Sequence, residues 1–236
     1  MLGNNFIALI VTAVVCVAWL RIMDFFAYKK WIGSGLSRKI IHIGTGPIFV
    51  LCWPLFENVY YSRFFAATVP LLITLQFLLI GLGIIKDQSS VDSMSRTGDR
   101  KELLRGPLYY GIVFVVLTIV YWKDNSIGMI ALMILCGGDG LADIVGNQVK
   151  SMPIPWAPNK TLAGTISVFF GGWVLSVFVL GVYKIWGLSH GSFTGYLLPV
   201  TVIAIVGALV ESLPFKDIDN ITVPLAAVIL GHLFLL

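Results

Sequence analysis

Asp139 and Asp143 stand four residues apart in Gly137-Gly138-Asp139-Gly140-Leu141-Ala142-Asp143-Ile144-Val145-Gly146, a stretch otherwise apolar enough to span a bilayer. A charge in hydrocarbon is costly, so ionisable residues in such a stretch usually face a bundle interior or a watery cavity and mark function. If the stretch is helical, both carboxylates share one face. Two hard oxygens on one face suit Mg2+, which takes one or two carboxylates together with water and substrate phosphates. Gly137, Gly138, Gly140 and Gly146 would let backbone or ligand approach closely. The plainer alternative is a pair of buried acids neutralised by an Arg or Lys of another helix.

Asn159-Lys160-Thr161-Leu162-Ala163-Gly164-Thr165 follows at the mouth of the next apolar run. Lys160, Thr161 and Thr165 offer one cation and two hydroxyls there. A helix N-terminus presents free N–H groups and a positive dipole, a natural phosphate seat. Thr161 could equally serve only as an N-cap, and Lys160 only as an interfacial anchor. The pattern GxxxxGK[ST] is absent, so this is not a P-loop.

Four more groups of polar residues sit at the ends of apolar runs. Arg38, Lys39 and His42 could bind phosphates or could be cations whose stems lie along lipid. Arg100, Lys101 and Arg105 stand the same way, and Glu102 among them suggests a fixed network. Glu211 is another costly acid at the end of a run. Asn220, just before the last run, could orient it. His190 and His232 lie away from these groups and read as structural.

The elements that must position these residues are membrane helices. The 236 residues are 58% hydrophobic and 12% charged, with a mean hydropathy of +0.91. A soluble domain carries about 25% charged residues. Stretches free of Asp, Glu, Lys and Arg cover 1–20, 40–56, 64–85, 106–122, 161–183, 185–210 and 221–236. An eighth, 127–146, is interrupted only by Asp139 and Asp143. A spanning helix needs about 20 apolar residues. The expectation is an all-α integral membrane protein, one transmembrane domain over 1–236 with about eight helices. The first run lacks a basic n-region and a clear cleavage site, so it is expected to be a span and not a signal peptide. No organelle import segment is visible.

Basic residues set the orientation. With the N-terminus outside, 13 of the 16 Lys and Arg fall on inner loops and their edges, leaving Arg63, Lys123 and Lys184 outside. The positive-inside rule favours this arrangement, and it puts the motif loops at the cytoplasmic interface. The net charge of +4 is then a topological bias together with an anionic-ligand site, and no nucleic-acid partner is expected. Cys16, Cys52 and Cys136 lie in apolar runs without metal-ligand spacing and read as small hydrophobes. Of the inner loops, Lys86–Gly98 reads as flexible. Ser151–Pro158, with three prolines, reads as a stiff non-helical connection.

Taken together, Arg38-Lys39-x-x-His42, Arg100-Lys101-Glu102-x-x-Arg105-Gly106-Pro107, Gly138-Asp139-Gly140-x-Ala142-Asp143-x-x-Gly146, Asn159-Lys160-Thr161-x-Ala163-Gly164-Thr165 and Glu211-Ser212…Asp219-Asn220-x-x-x-Pro224 resemble the polyprenol kinase family of phytol, farnesol and dolichol kinases. The resemblance runs from about residue 37 to 224, and the compact length is similar to the phytol kinase branch. It implies CTP as phosphoryl donor, an isoprenoid alcohol held in the bilayer as acceptor, and Mg2+ as cofactor. Asp139, Asp143, Lys160 and Glu211 would then be catalytic, with the metal on Asp139 and Asp143. Arg38, Lys39, His42, Arg100, Lys101, Arg105, Gly138, Gly140, Asn159, Thr161, Gly164, Thr165 and Asn220 would surround the nucleotide and its phosphates. Phytol preference would suggest salvage of phytol toward tocopherol. The family is also similar to CTP-dependent diacylglycerol kinases and phosphatidate cytidylyltransferases, the nearest alternative activities. An ion-coupled transporter is the alternative of another class, but it would want ionisable groups along a path through the membrane, and these gather at one interface.

Overall fold

The computed structural model describes residues 3–189, 191–215 and 217–236, with only the backbone of Ser34. His190 and Lys216, the first weighed as structural and the second as an inner-loop cation, lie outside the described residues. Apart from one two-stranded hairpin, the ordered elements are helices, in two compact units, Met1–Val120 and Tyr121–Leu236. Six stretches are long and apolar enough to cross a membrane: Asn5–Tyr28, Ser62–Leu82, Arg100–Tyr121, Ile127–Gln148, Leu162–Ile185 and Phe193–Glu211. The protein is an all-α, multi-pass membrane protein.

The first unit holds α1 (Asn5–Tyr28), α2 (Ser34–Cys52), α3 (Ser62–Leu82), α4 (Gln88–Met94) and α5 (Gly106–Tyr121), the last ending one residue past its boundary. Asn4 caps α1 by accepting from the N–H groups of Phe6 and Ile7. Gly44 lets α2 lie against the Trp19 ring of α1, which a Cβ would strike. Arg63 donates to the carbonyls of Tyr60 and Ile119 and so ties the start of α3 to the end of α5, where a cation meets the negative end of a helix.

Part of the loop expected to be flexible is α4. Asp87 caps it, accepting from the Ser90 N–H at 3.1 Å and the Ser90 hydroxyl at 2.7 Å. Partial burial opposes ionisation of Asp87, but these bonds and the nearby Arg21 charge outweigh it and hold the carboxyl below the usual carboxylate range. Val91 of α4 is buried with Phe77, Ile80 and Leu103. A cap and two packed apolar residues, Val91 and Met94, thus order a segment whose composition reads as a linker.

The second unit is built around α6 (Ile127–Gln148). Next come the antiparallel strands β1 (Pro153–Ile154) and β2 (Ala157–Thr161), then α7 (Leu162–Ile185), α8 (Phe193–Glu211) and α9 (Asp219–Leu235). Every residue of α6 from Ile127 to Gly138 is buried, because α7, α8 and α9 all pack against it. A helix that is apolar all round belongs inside a bundle. From Asp139 onward most of α6 is half-exposed, and Asn147 and Gln148 are exposed. The outer helices show the opposite pattern. On α7, Ile166, Phe170, Val174 and Phe178 are about half-exposed at a four-residue repeat, an apolar stripe suited to hydrocarbon.

Glycines bring α6 and α7 together. A Cβ on Gly137 would collide with the Gly171 carbonyl, and one on Gly171 with the Gly137 carbonyl. A Cβ on Gly138 would stand 2.8 Å from Val168 Cγ1, and one on Gly164 3.2 Å from the Ala142 carbonyl oxygen. Small residues at such crossings are how membrane helices approach closely without a hydrophobic driving force. These glycines admit a neighbouring helix.

With 22 residues, α6 is about 33 Å long, enough to cross the hydrocarbon. Positions 124 and 148 lie just beyond its two ends or at its last residue. In a protein whose three cysteines are replaced, an external membrane-impermeant thiol reagent should label Asp124→Cys and spare Gln148→Cys. The reverse pattern would invert the orientation inferred from the basic residues.

Candidate active site

The site assembles in the second unit, where the middle of α6 and the ends of α8 and α9 meet one strand. Asp139 lies on α6 just past its fully buried half. Glu211 is the last residue of α8 and Asp219 the first of α9. A turn runs between them, in which Asp217 adopts φ +65°. That left-handed backbone is uncommon for a residue other than glycine, and it lies two residues before Asp219. One carboxylate oxygen from each of Asp139, Glu211 and Asp219 falls within 4.8 Å of the others. Glu211 is buried, with 7% of its surface exposed.

Lys160 reaches these acids from β2. Its Nζ donates to Glu211 Oε1 at 2.8 Å and also to the Glu211 carbonyl oxygen, and it stands 3.9 Å from Asp219 Oδ2. The strand is held beside α8 by Trp156, whose Nε1 donates to Ser212 Oγ at 3.3 Å. Lys160 thus pairs with two of the three acids, Glu211 and Asp219. Three carboxylates this close repel one another strongly when ionised, which drives such a group toward a proton or a cation.

Two buried polar atoms add to the picture. Asn220 Oδ1, on the residue after Asp219, and Thr165 Oγ1, on the first turn of α7, have no hydrogen-bond partner among the described residues. An unsatisfied buried acceptor is costly. Hard anionic oxygens in a half-buried cluster, with a neutral amide oxygen in the adjoining residue, are a donor set that fits Mg2+.

At the α7 N-terminus, where the sequence anticipates a phosphate seat, the first N–H groups have partners within the protein. Thr161 is the N-cap and accepts the Gly164 N–H at 3.2 Å. The Ala163 N–H goes to Ser151 Oγ and the Leu162 N–H to the Met152 carbonyl. Residues just before the hairpin, together with the Thr161 cap, thus engage the first three N–H groups of α7. The dipole, the Thr161 hydroxyl proton and the Thr165 hydroxyl remain. Asn159 is exposed, and Gly140 and Gly164 are buried.

Asp143 keeps its place on α6, one turn beyond Asp139 and half-buried, close enough for its charge to act on Glu211. It is not one of the three acids whose oxygens converge. Asp219 is the residue that sequence reasoning passed over. From the sequence it belongs to a polar turn beside Asn220. Two signals point to it: its place in the Asp219-Asn220 motif of the family resemblance, where it has no assigned role, and an acid at the first position of an apolar run.

Comparison with known proteins bears on what such a cluster does. The chain is 39% identical over 225 residues to a protein named phytol kinase 1, chloroplastic, of Arabidopsis thaliana, covering 94% of this chain and 74% of that one. It is 40% identical to the farnesol kinase, chloroplastic, of the same plant, again over 94% of this chain and 73% of the relative. It is 39% identical to a probable phytol kinase 3, chloroplastic, of Glycine max over 99% and 74%. The chain belongs to the polyprenol kinase family. No protein-family model matches the chain, and no solved structure matches it.

Within this polyprenol kinase family member, the remaining motif residues lie in the first unit. Lys39 is buried and Arg38 and His42 are half-buried on α2. The His42 ring packs on Tyr110 at 4.2 Å, and the Tyr110 hydroxyl donates to the His42 carbonyl at 2.8 Å. Arg100 lies over Gly83, the left-handed C-cap of α3, where a Cβ would strike its guanidinium. A cation there complements the helix dipole. Lys101 and Arg105 are exposed. Glu102 accepts from the Arg96 N–H and, at 2.8 Å, from the Thr97 hydroxyl, residues of the preceding loop.

Proposed function

We propose that the protein is a CTP-dependent kinase that phosphorylates an isoprenoid alcohol, phytol or a close relative, to its monophosphate. The observation that carries the chemistry is the convergence of Asp139, Glu211 and Asp219 beside Lys160. The named activities of the relatives support the alcohol acceptor. The motif resemblance supports CTP.

Phosphoryl transfer depends on positioning and on stabilising charge, with little covalent work for the protein. Asp139, Glu211 and Asp219 would hold Mg2+, with Asp143 beside them. When bound, the ion neutralises charge on the donor phosphates. Lys160, on a strand fixed at one end by Trp156 and at the other by the α7 cap, can place a cation against charge building on the transferred group. Thr165 and Thr161 supply hydroxyls at the same helix mouth. The alcohol oxygen attacks the terminal phosphorus, and the bond to the bridging oxygen breaks. CDP leaves, and the hydroxyl proton passes to a carboxylate of the site. The acceptor's chain stays in the apolar layer, with the motif loops on the cytoplasmic side as the basic residues suggest.

The fate of label distinguishes this reaction from its neighbours. Purified protein given phytol and CTP labelled at the γ phosphorus should carry label into the lipid phase. CTP labelled at the α phosphorus should not. Label entering lipid from the α position alone, with phosphatidate as acceptor, would overturn the kinase and indicate a cytidylyltransferase. Transfer of γ label to diacylglycerol in preference to phytol would replace the acceptor.

A further inference from the structure

A cation of the protein itself already lies against two of the acids. Lys160 Nζ sits on Glu211 Oε1 and the Glu211 carbonyl and stands within 3.9 Å of Asp219 Oδ2. Glu211 and Asp219 are two of the three acids that could hold a metal. An ammonium group and a divalent ion are drawn to the same oxygens and repel each other at that range. We propose that Lys160 is a placeholder: it offsets the charge of Glu211 and Asp219 until metal binds and yields its place only when nucleotide phosphates arrive to receive it. The proposal rests on the reading of the cluster as a metal site.

The surroundings favour such an exchange. The Lys160 side chain keeps 22% of its surface exposed, against 9% for Glu211 and 17% for Asp219, so it is the most solvent-accessible of the three. It hangs from β2, one residue before the Thr161 cap, so its Nζ can leave the acids without unfolding a helix. A lysine ammonium is a compact point charge on a flexible stem, suited to exchanging a carboxylate for a phosphate. Metal alone must enter against this charge. Metal with nucleotide brings the anion that draws the lysine away. Binding of the two is therefore coupled, and each raises the affinity of the other equally.

The test measures Mn2+ binding to the full-length protein in lipid nanodiscs by the loss of the free-ion electron paramagnetic signal. It is run with and without a non-hydrolysable β,γ-methylene analogue of CTP. In the native protein the analogue should raise Mn2+ affinity by about tenfold or more. Lys160→Gln should bind Mn2+ alone about tenfold more tightly than the native protein and lose most of the effect of the analogue. Lys160→Arg, which keeps the charge, should remain weak for metal alone. If Lys160→Gln gains no affinity for Mn2+ alone, or if the native protein binds metal equally well without the analogue, the placeholder is wrong. The underlying metal site fails separately: Asp219→Asn and Glu211→Gln would then bind Mn2+ as well as the native protein does in the presence of the analogue.

Discussion

Asp219→Asn should lower turnover by on the order of a hundred- to a thousandfold while the protein still inserts and elutes as a folded species. The substitution keeps the shape of the side chain and removes one anionic oxygen from the group shared with Asp139 and Glu211. Asp139→Asn and Glu211→Gln should fall in the same range. Glu211→Gln also takes away the principal partner of Lys160, so its loss need not add to that of Lys160→Gln; residues in one network are not additive. Asp143→Asn is the arm that separates two arrangements. With the metal on the converging three, it should cost about tenfold or less, the scale of a supporting residue. A collapse equal to that of Asp139→Asn, together with near-normal turnover in Asp219→Asn, would put the metal on the i, i+4 pair of α6 instead. Turnover of γ-labelled CTP into phytyl phosphate, measured across a range of Mg2+, is the readout.

The second large effect concerns the bundle that sets up this geometry. Gly171→Val should destabilise the second unit by about 3 kcal/mol, because backbone at the helix crossing cannot give way as a flexible side chain can. Its Cβ would meet the Gly137 carbonyl and stand 2.8 Å from Leu141 Cδ1, forcing α7 away from α6 one turn or less from Asp139. Gly181→Ala on the same helix is the control, since its Cβ would meet Phe193 Cε2 at an ordinary 3.7 Å. Thermal unfolding in detergent should show a clear drop in midpoint for Gly171→Val and little change for Gly181→Ala. Equal midpoints for both would mean that α6 and α7 are not packed through these glycines.

Much of this protein is legible in the residues alone, because the relevant physics is local. Long runs without charge specify spanning helices whatever they pack against. The spacing of Asp139 and Asp143 needs only a helix to put them on one face, and α6 provides it. A threonine ahead of an apolar run marks a helix start, and Thr161 caps α7. Local composition misled where a few contacts outweighed it, as at α4, where Asp87 and buried Val91 order a polar loop.

Which acids converge was decided by tertiary structure. Glu211 and Asp219 reach Asp139 because α8 and α9 both pack against the buried half of α6 and their connecting turn comes to the level where that burial ends. Lys160 meets Glu211 51 residues along the chain, across a hairpin whose docking on Ser212 no local pattern encodes. The glycines of α6 serve α7 for the same reason: what a missing side chain makes room for depends on which neighbour arrives. Hydropathy and spacing give each helix its place in the membrane and each side chain its face. The partner across that face depends on how the helices close around one another.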